Sequence, residues 1–385
     1  MDVSLSEDQR LIGESVRGYL AEHAGPEQLR KAVEDGQAFA PSLWRGLTQD
    51  LGLVGLMAPE ALGGAGLGAR DMALVLEALG EHLAPAPFFE TAVLALPALL
   101  ALGRPDQVER WAAPLVAGER RACLAFADAQ GRPDLDALEA QLTTTPTGWR
   151  LDGRSRFVSG LPASDLVLVV ARHPDEGLSL LALPLPAAGV TALSVPSLDP
   201  TRPMGELAFD AVEVSADDIV GAAGQARKAL HDVLATAAAL LAAEAVGVAQ
   251  ACLDMTLAYV QERKQFGRTI GSFQAVKHAL ADMVADIEAA RSAALYGVLA
   301  IDQGGPDASA AASASLAWCL DAAKRCAGQA IQLHGGVGFT WEHLAHLYFK
   351  RAWSNATFLG APERHREHVA ARMGLDATAP SSEPH

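Results

Sequence analysis

The stretch of sequence that decides the fold is residues 261–283, QERKQFGRTIGSFQAVKHALADM. Its pattern predicts that one helix ends in the first residues and that the chain breaks at Gly267 and Gly271. A second helix is predicted to begin with Ser272 as its N-cap, because a serine oxygen accepts hydrogen bonds from a first helical turn. The stretch therefore predicts two helices joined by a short, irregular connection.

Basic and aromatic residues are concentrated at this predicted break. Arg263, Lys264 and Arg268 lie beside Phe266 and Phe273. Helix-end amides, guanidinium groups and aromatic faces together suit a planar ligand that carries phosphate, such as a nucleotide. Basic residues in the last turn of a helix also complement the helix dipole without any ligand. Composition alone leaves both interpretations open.

Two longer motifs resemble a known family. The pattern R-x-x-F-G-x-x-I-x-x-[HF]-Q, followed by a helix that contains A-D-M, is similar to a motif of the acyl-CoA dehydrogenases, which contain FAD. A second block, QLHGGVGFT at 332–340, resembles the same family. The resemblance implies an enzyme that desaturates an acyl-CoA thioester between its α and β carbons. It also implies an electron-transfer flavoprotein as the electron acceptor.

Charge and composition limit the classes of partner. The chain has 385 residues, 50% of them hydrophobic, and a formal net charge of −16. This charge argues against duplex nucleic acid, because neutralising its phosphates requires a basic face. An anionic CoA ester needs a local basic pocket, for which Lys350 and Arg351 are the candidates. No metal site is predicted.

The four cysteines predict a reducing compartment. They are Cys123, Cys252, Cys319 and Cys326, without a C-x-x-C pair. Cys319 and Cys326 lie two turns apart in one helical pattern, a rise of roughly 10 Å that a disulfide does not span. The N-terminus, MDVSLSEDQRLI, shows no apolar signal segment. We therefore predict buried thiols and a cytoplasmic location.

One apolar run, residues 233–253, has the length of a membrane span, roughly 20 residues. It is mostly alanine and contains Glu244, and an acid in the middle of a membrane helix costs several kcal/mol. The run is therefore predicted to be a buried helix of a bundle, and no membrane partner is expected.

The predicted elements divide the chain into helical, sheet and helical parts. Residues 1–118 form an N-terminal helical domain, whose first helix is capped by Ser6. Residues 119–225 contain short β-rich runs separated by Pro, Gly and Asp, which predict a small middle sheet domain. Residues 226–375 are helical again, and residues 376–385 form a disordered tail. This α+β order argues against a Rossmann fold and resembles the acyl-CoA dehydrogenase architecture.

In the family, FAD lies across an interface between subunits. One subunit holds the flavin with its sheet domain, and the other holds the adenosine and pyrophosphate with its C-terminal helices. The glycines of the Q-x-x-G-G turn have no side chains, so backbone amides can approach a pyrophosphate. The resemblance assigns this second half-site to Arg263, Phe266, Gln274, Gln332, Gly335 and Gly336.

The flavin half-site matches the family poorly. Where the family has a T-E-P-x-x-G-S loop, residues 127–133 read ADAQGRP. The family's next segment, W-I-T, corresponds to FVS at 157–159, which keeps an aromatic residue and a hydroxyl. The resemblance implies that Ser159 hydrogen-bonds flavin N5, and an ordinary serine at a strand end is an equal alternative.

The catalytic base of the family is missing from its usual positions. These enzymes remove the α proton with a carboxylate whose pKa is raised by burial. The two positions that carry it correspond to Leu359 and Ala237 in this chain. Glu244, two helical turns beyond Ala237, is the remaining candidate base. Alternatively, Glu244 pairs with an arginine of a neighbouring helix, as buried acids usually do.

These losses allow several functional interpretations. In the first, the chain is one subunit of an α2β2 acyl-CoA dehydrogenase and contributes the adenosine side of an FAD site whose base lies in a homologous subunit. In the second, it is a self-sufficient homotetramer that uses Glu244. A flavin oxidase or monooxygenase is a third. The segments AAEAVG at 242–247 and PERHREHVA at 362–370 resemble segments of paired subunits that degrade sterol-like side chains. This resemblance favours the interpretation as one subunit of an α2β2 enzyme.

Overall fold

A computed structural model describes residues 4–36, 39–175 and 177–375 of the protein. The tail predicted for residues 376–385 lies outside the described residues. Helices come first, a sheet follows, and longer helices complete the described chain. This order confirms the predicted α+β fold class.

The N-terminal helices begin at the predicted cap. The Oγ of Ser6 accepts a hydrogen bond from the backbone N–H of Gln9 at 3.1 Å, and the Gln9 side chain accepts one from the Ser6 N–H at 3.2 Å. This reciprocal pair is a capping box. The helices are α1 (Glu7–His23), α2 (Pro26–Glu34), α3 (Pro41–Arg45), α4 (Ala69–His82), α5 (Leu96–Leu102), α6 (Pro105–Gln107) and α7 (Ala113–Val116). A π-helical segment, Phe89–Ala95, leads directly into α5.

The middle of the chain forms a mixed sheet. Its strands are β1 (Ala122–Ala125), β2 (Gln141–Thr145), β3 (Gly148–Ser159), β4 (Leu166–Arg172), β5 (Leu178–Pro184), β6 (Val190–Val195), β7 (Met204–Val214) and β8 (Ile219–Val220). Within the described residues the order is β6-β7-β3-β2-β4-β5-β8, and β1 pairs with β4 in parallel. Because side chains alternate along a strand, Leu166 and Leu168 of β4 face the helical core and Val167 and Val169 face a second core.

Long helices form the C-terminal part. They are α8 (Arg227–Glu262), α9 (Gln274–Gln303), α10 (Ala308–His334), α11 (Ala345–Phe358) and α12 (Pro362–Arg372), with a separate hairpin, β9 (Lys264–Gln265) and β10 (Arg268–Thr269), between α8 and α9. By length and composition α8 could cross a membrane, but 78% of its most apolar window is buried inside the protein. The run 233–253 lies within this helix and is buried as predicted.

The start of α9 differs from the prediction for Ser272. The Ser272 hydroxyl donates to the carbonyl of Thr269 at 2.6 Å, and Phe273 occupies the N-cap position. The predicted cap is wrong because Ser272 lies inside a 3-10 turn, Ile270–Ser272, that precedes the helix. Its side chain bonds to the residue before that turn, and α9 has no side-chain cap.

Glycines allow α4 and α8 to cross in close contact. A Cβ added to Gly80 would lie 2.3 Å from the carbonyl oxygen of Glu244, and one added to Gly247 would lie 1.9 Å from that of Glu77. Both distances are far below van der Waals contact, so a larger residue at either position requires the helices to separate. The crossing fixes the position of Glu244 relative to the N-terminal helices.

Replacing Gly247 with alanine should destabilise the protein by about 1–3 kcal/mol, because the added methyl group meets backbone atoms. Urea denaturation followed by circular dichroism measures the change. G18A is the matched control, since Gly18 is exposed on α1 and an added Cβ meets no described atom within 4 Å. G18A should be more stable by roughly 0.5–1 kcal/mol. Equal stability of G247A and the wild type would argue against a close crossing.

Candidate functional site

The basic and aromatic break is an exposed hairpin tip. Phe266 and Gly267 form the turn between β9 and β10, with positive φ angles of 53° and 78°, as a type I′ turn requires. The Phe266 side chain is 91% exposed and meets the Phe273 ring edge-on, with centroids 6.2 Å apart. The Arg268 guanidinium lies 4.0 Å from the centre of the Phe273 ring. The tip therefore presents aromatic faces and a cation to solvent.

The fold brings the second motif to the same surface. Tyr259 lies one turn before Arg263, the C-cap residue of α8. Its ring stacks on that of His334, the last residue of α10, with centroids 4.4 Å apart. Burial lowers the pKa of His334, so the stacked imidazole is neutral at pH 7. Gly335 follows directly, and the two motifs, distant in sequence, therefore lie side by side.

The residues assigned to the adenosine half-site are open to a ligand. A Cβ added to Gly335 or Gly336 meets no atom of the described chain within 4 Å. Free space beside glycine lets a pyrophosphate approach the backbone, and an exposed guanidinium neutralises its charge. These residues fit the adenosine and pyrophosphate of FAD. We call the exposed set Arg263, Phe266, Gln274, Gln332, Gly335 and Gly336 the cradle.

The loop that corresponds to the flavin-contacting turn is closed on itself. The Asp128 carboxylate accepts hydrogen bonds from the backbone N–H groups of Gln130 and Arg132, at 2.9 and 2.8 Å. It also accepts one from Nε of Arg132 at 2.7 Å. These donors of the loop at 127–133 are therefore engaged with its own aspartate. The loop does not fit a flavin ring, which needs such donors to be free.

Ser159 is aimed by a β-bulge toward a buried acid. The register of β3 against β7 shifts between Ser155 and Val158, and Phe157 has a positive φ of 54°, so the strand bends locally. The Ser159 hydroxyl donates a short hydrogen bond to Oε1 of Glu90, in the π segment before α5. Both side chains are buried. This bond favours a structural role for Ser159 over contact with flavin N5.

Glu244 lies in a buried ion network. Nη2 of Arg202, from the connection between β6 and β7, donates to both carboxylate oxygens, at 2.9 and 2.7 Å. Arg351 of α11 donates to Oε1 at 3.1 Å, and the Asn355 amide donates to the same oxygen at 3.2 Å. Each of these residues is at most 4% exposed. Two arginines, Arg202 and Arg351, therefore pair with Glu244, as the alternative to a catalytic base requires.

The network keeps the Glu244 carboxylate ionised. Burial alone would raise its pKa, but the charges of Arg202 and Arg351 outweigh burial and hold the pKa below its ordinary value. A general base in this reaction needs the opposite shift, toward neutral pH. These surroundings do not support the role of base that the sequence left open for Glu244.

Arg351 is also held from a second side. Its Nε donates to Asp199 at 2.5 Å, and Nη2 donates to the Thr201 hydroxyl at 2.6 Å. A buried guanidinium between two carboxylates does not reach a phosphate in solvent, so the suggestion that Arg351 binds CoA is not supported. Lys350, the other basic candidate, lies with its Nζ 4.6 Å from the centre of the Trp341 ring.

Glu90 also belongs to this network, because its Oε1 lies 3.7 Å from Nε of Arg202. Several members of the network were not predicted from the sequence: Glu90, Asp199, Arg202 and Asn355. Glu90 did carry a signal, because it is the only acid in the apolar run FFETAVLALPALLAL at 88–102, and such an acid needs a buried partner. Arg202 carried none, since its partners come from segments far away in the sequence.

Comparisons with known proteins identify the family. The models of the N-terminal and C-terminal domains of acyl-CoA dehydrogenases match residues 6–119 and 224–374. Acyl-CoA dehydrogenase IpdE2 of Mycolicibacterium smegmatis is 33% identical over 369 residues, which cover 96% of this chain and 100% of the relative.

Two solved structures are similar along the whole chain. One is the ChsE4-ChsE5 complex from Mycobacterium tuberculosis, with a TM-score of 0.87, 29% identity, and coverage of 99% of this chain and 100% of the other. The second is described as a variant of the Tcur3481-Tcur3483 steroid ACAD, with a TM-score of 0.86, 31% identity, and coverage of 98% and 100%.

The helix–sheet–helix order and the two matching domain models define a flavin-dependent dehydrogenase. The chain belongs to the acyl-CoA dehydrogenase family. It is therefore an FAD-dependent oxidoreductase that acts on acyl-CoA thioesters.

Replacing Glu244 with glutamine should destabilise the protein by about 3–5 kcal/mol at pH 7, because Arg202 and Arg351 stay buried with too little negative charge nearby. Urea denaturation of both proteins measures the difference. E363Q is the control, since the Glu363 side chain is 71% exposed, and its effect should stay within about 0.5 kcal/mol. An E244Q effect as small as that of the control would show that the network contributes little.

The difference in unfolding free energy between the wild type and E244Q should also depend on pH. The folded pKa of Glu244 lies below the unfolded value, which is about 4.3 for glutamate. Its stabilising contribution is therefore present above that pH and is lost as the pH falls through the lower folded pKa. Denaturation across this range should show the two unfolding free energies converging on acidification. A difference that grows toward low pH would mean that Glu244 is protonated in the folded protein.

Proposed function

We propose that the chain is one subunit of an α2β2 acyl-CoA dehydrogenase and catalyses α,β-desaturation of an acyl-CoA only together with a homologous partner. In this complex the cradle binds the adenosine and pyrophosphate of an FAD whose flavin ring lies in the partner. The partner also supplies the base. The contrast between the open cradle and the closed flavin half of the same chain carries this proposal.

Each group in the cradle has a role that follows from its chemistry. The planar guanidinium of Arg263 would hold the pyrophosphate and neutralise its charge. Gly335 and Gly336 allow backbone amides to approach the same group. The exposed ring of Phe266 provides an apolar face for a flat ligand. When bound, FAD accepts the hydride that leaves the β carbon of the acyl group.

The reaction also requires a carboxylate that removes the α proton. Leu359 and Ala237, at the two family positions, are apolar and buried. Glu244 is held ionised by Arg202 and Arg351, so it is a weak base at neutral pH. The base then comes from the partner, and the acyl chain of the substrate must lie in the acyl-binding slot of that subunit.

The solved relatives support an assembly of unlike subunits. The ChsE4-ChsE5 and Tcur3481-Tcur3483 structures are each named for two different chains, and the second is described as a steroid ACAD. By analogy we infer a bulky, sterol-like acyl-CoA as the substrate class and an electron-transfer flavoprotein as the acceptor. The buried free thiols Cys123, Cys252, Cys319 and Cys326 support the inferred cytoplasmic location.

The alternative functions receive less support. A self-sufficient homotetramer needs a raised pKa at Glu244, and the network lowers it. A flavin oxidase or monooxygenase needs flavin contacts on this chain, but Ser159 and the loop at 127–133 bind groups of the protein instead. No observation on the described residues favours either alternative.

The domain limits 1–118, 119–225 and 226–375 are part of the proposal. Helix α7 ends at Val116 and α8 begins at Arg227, so both limits fall in or next to connections, where domain boundaries usually lie. This division assigns the cradle to the C-terminal helical domain and the closed flavin half to the sheet domain.

Flavin stoichiometry tests the proposed function. Co-expressed with its homologous partner, the chain should purify as an α2β2 complex with about one FAD per pair of unlike chains. Purified alone, it should carry little flavin and show no turnover, as measured by flavin absorbance and by reduction of an electron acceptor with an acyl-CoA. A yellow homo-oligomer that turns over without the partner would overturn the proposal.

Replacing Gly336 with valine should weaken FAD binding by the complex about tenfold or more, equal to about 1.4 kcal/mol. The branched side chain occupies space that a pyrophosphate needs, whereas a Cβ at this position meets no described atom within 4 Å. Fluorescence titration of the apo-complex with FAD measures the affinity. G18V, on the exposed face of α1, is the control with unchanged affinity. Unchanged FAD affinity in G336V would remove Gly336 from the cradle.

A further inference from the structure

Arg202 lies beside one of the two family base positions. Its guanidinium carbon is 4.8 Å from the centre of the Phe358 ring and 5.7 Å from that of Phe89. Phe358 ends α11 and directly precedes Leu359, the position where family members carry a base. The guanidinium therefore packs against two aromatic rings that contact each other, with centroids 5.5 Å apart, at the edge of that position.

Arg202 also binds an acid on the helix that carries the second base position. It binds both carboxylate oxygens of Glu244, which lies two turns from Ala237 on α8, a rise of roughly 10 Å. A base removes the α proton only within hydrogen-bond reach of the α carbon. A substrate that reacts in this chain must therefore place its α carbon beside Leu359 or Ala237, and Arg202 packs against Phe358, the neighbour of Leu359.

Little room remains there for a substrate. The cleft lined by Arg202, Glu90, Glu244 and Arg351 has about 30 Å³ of space for water-sized molecules. A single water needs roughly 10–15 Å³ by this measure, so the space holds about two waters. An acyl chain does not enter unless the guanidinium leaves.

The structure holds the guanidinium in place from several sides. Nη1 of Arg202 donates to Oδ1 of Asn355, and the backbone N–H donates to the carbonyl of Asp199 at 3.2 Å. The Asp199 carboxylate is itself bound by Thr201 and Arg351. Withdrawal of Arg202 would leave the Glu244 carboxylate buried with fewer donors, which opposes opening of the cleft.

We propose that Arg202 closes the acyl slot of this chain and thereby determines that only the partner's slot accepts substrate. The inference rests on the proposed function, because a closed slot serves the reaction only if a second, open slot exists in the same complex. Arg202 is a specificity-determining residue in this proposal and takes no part in proton or hydride transfer.

The test measures binding of octanoyl-CoA to the full chain by isothermal titration calorimetry. R202A/E244A removes one charge of each sign, so the net charge of the network is unchanged while the cleft is opened. R202M/E244L is the matched control, since it removes the same charges and keeps the cleft filled with apolar atoms. The wild type and R202M/E244L should show no saturable binding. R202A/E244A should bind one octanoyl-CoA per chain, with an affinity at least about tenfold above the weakest affinity that the titration detects.

Two results would overturn the proposal: saturable binding of octanoyl-CoA by the wild type, or no gain of binding in folded R202A/E244A. If R202A/E244A does not fold, R202Q replaces it, because the shorter glutamine amide still donates to Glu244, and the same outcomes apply. The partner and FAD are absent from this titration. A failure of the proposed α2β2 assembly would appear in the flavin stoichiometry and leave the octanoyl-CoA result unchanged.

Discussion

The buried pairing of Glu244 with Arg202 and Arg351 connects the parts of this protein. Arg202 comes from the sheet domain, Glu244 from α8 and Arg351 from α11. A charge buried without a partner costs several kcal/mol, so each of these segments is stable in its position only when the others are present. The network thereby fixes the connection between β6 and β7 against α8 and α11. It also places a buried, charged cluster beside Phe358, the neighbour of Leu359.

The helix α8 carries the buried Glu244 network and one end of the proposed cradle at different heights. Glu244 lies near its middle, and Arg263 caps its end, about 28 Å away at 1.5 Å per residue. The close crossing with α4 at Gly80 and Gly247 holds the middle of the helix, while its end reaches the surface. Because the two regions share no side chain, one can lose its catalytic groups without disturbing the other. This separation is consistent with a subunit that binds part of a cofactor and leaves the chemistry to its partner.

Much of the fold could be predicted because its signals are local. The capping box at Ser6, the burial of the run 233–253 and the helix–sheet–helix order each depend on residues close together in the chain. The failure at Ser272 is also local, but it depends on backbone geometry: a 3-10 turn moves the start of α9 by one residue. Helix starts are commonly uncertain by one or two residues for this reason.

The sequence by itself determined the family and the absence of an acid at Leu359 and Ala237, and it supplied the residues proposed for the cradle, because each depends only on which residue stands at a position of a linear motif. Only the tertiary structure decided what surrounds Glu244 and Ser159. Their partners, Arg202 and Glu90, lie far away in the sequence and meet them only in the folded chain. Whether a carboxylate is a base or a bound ion depends on its pKa, which is set by burial and by neighbouring charges. Folding, and not the local sequence, brings those charges into place.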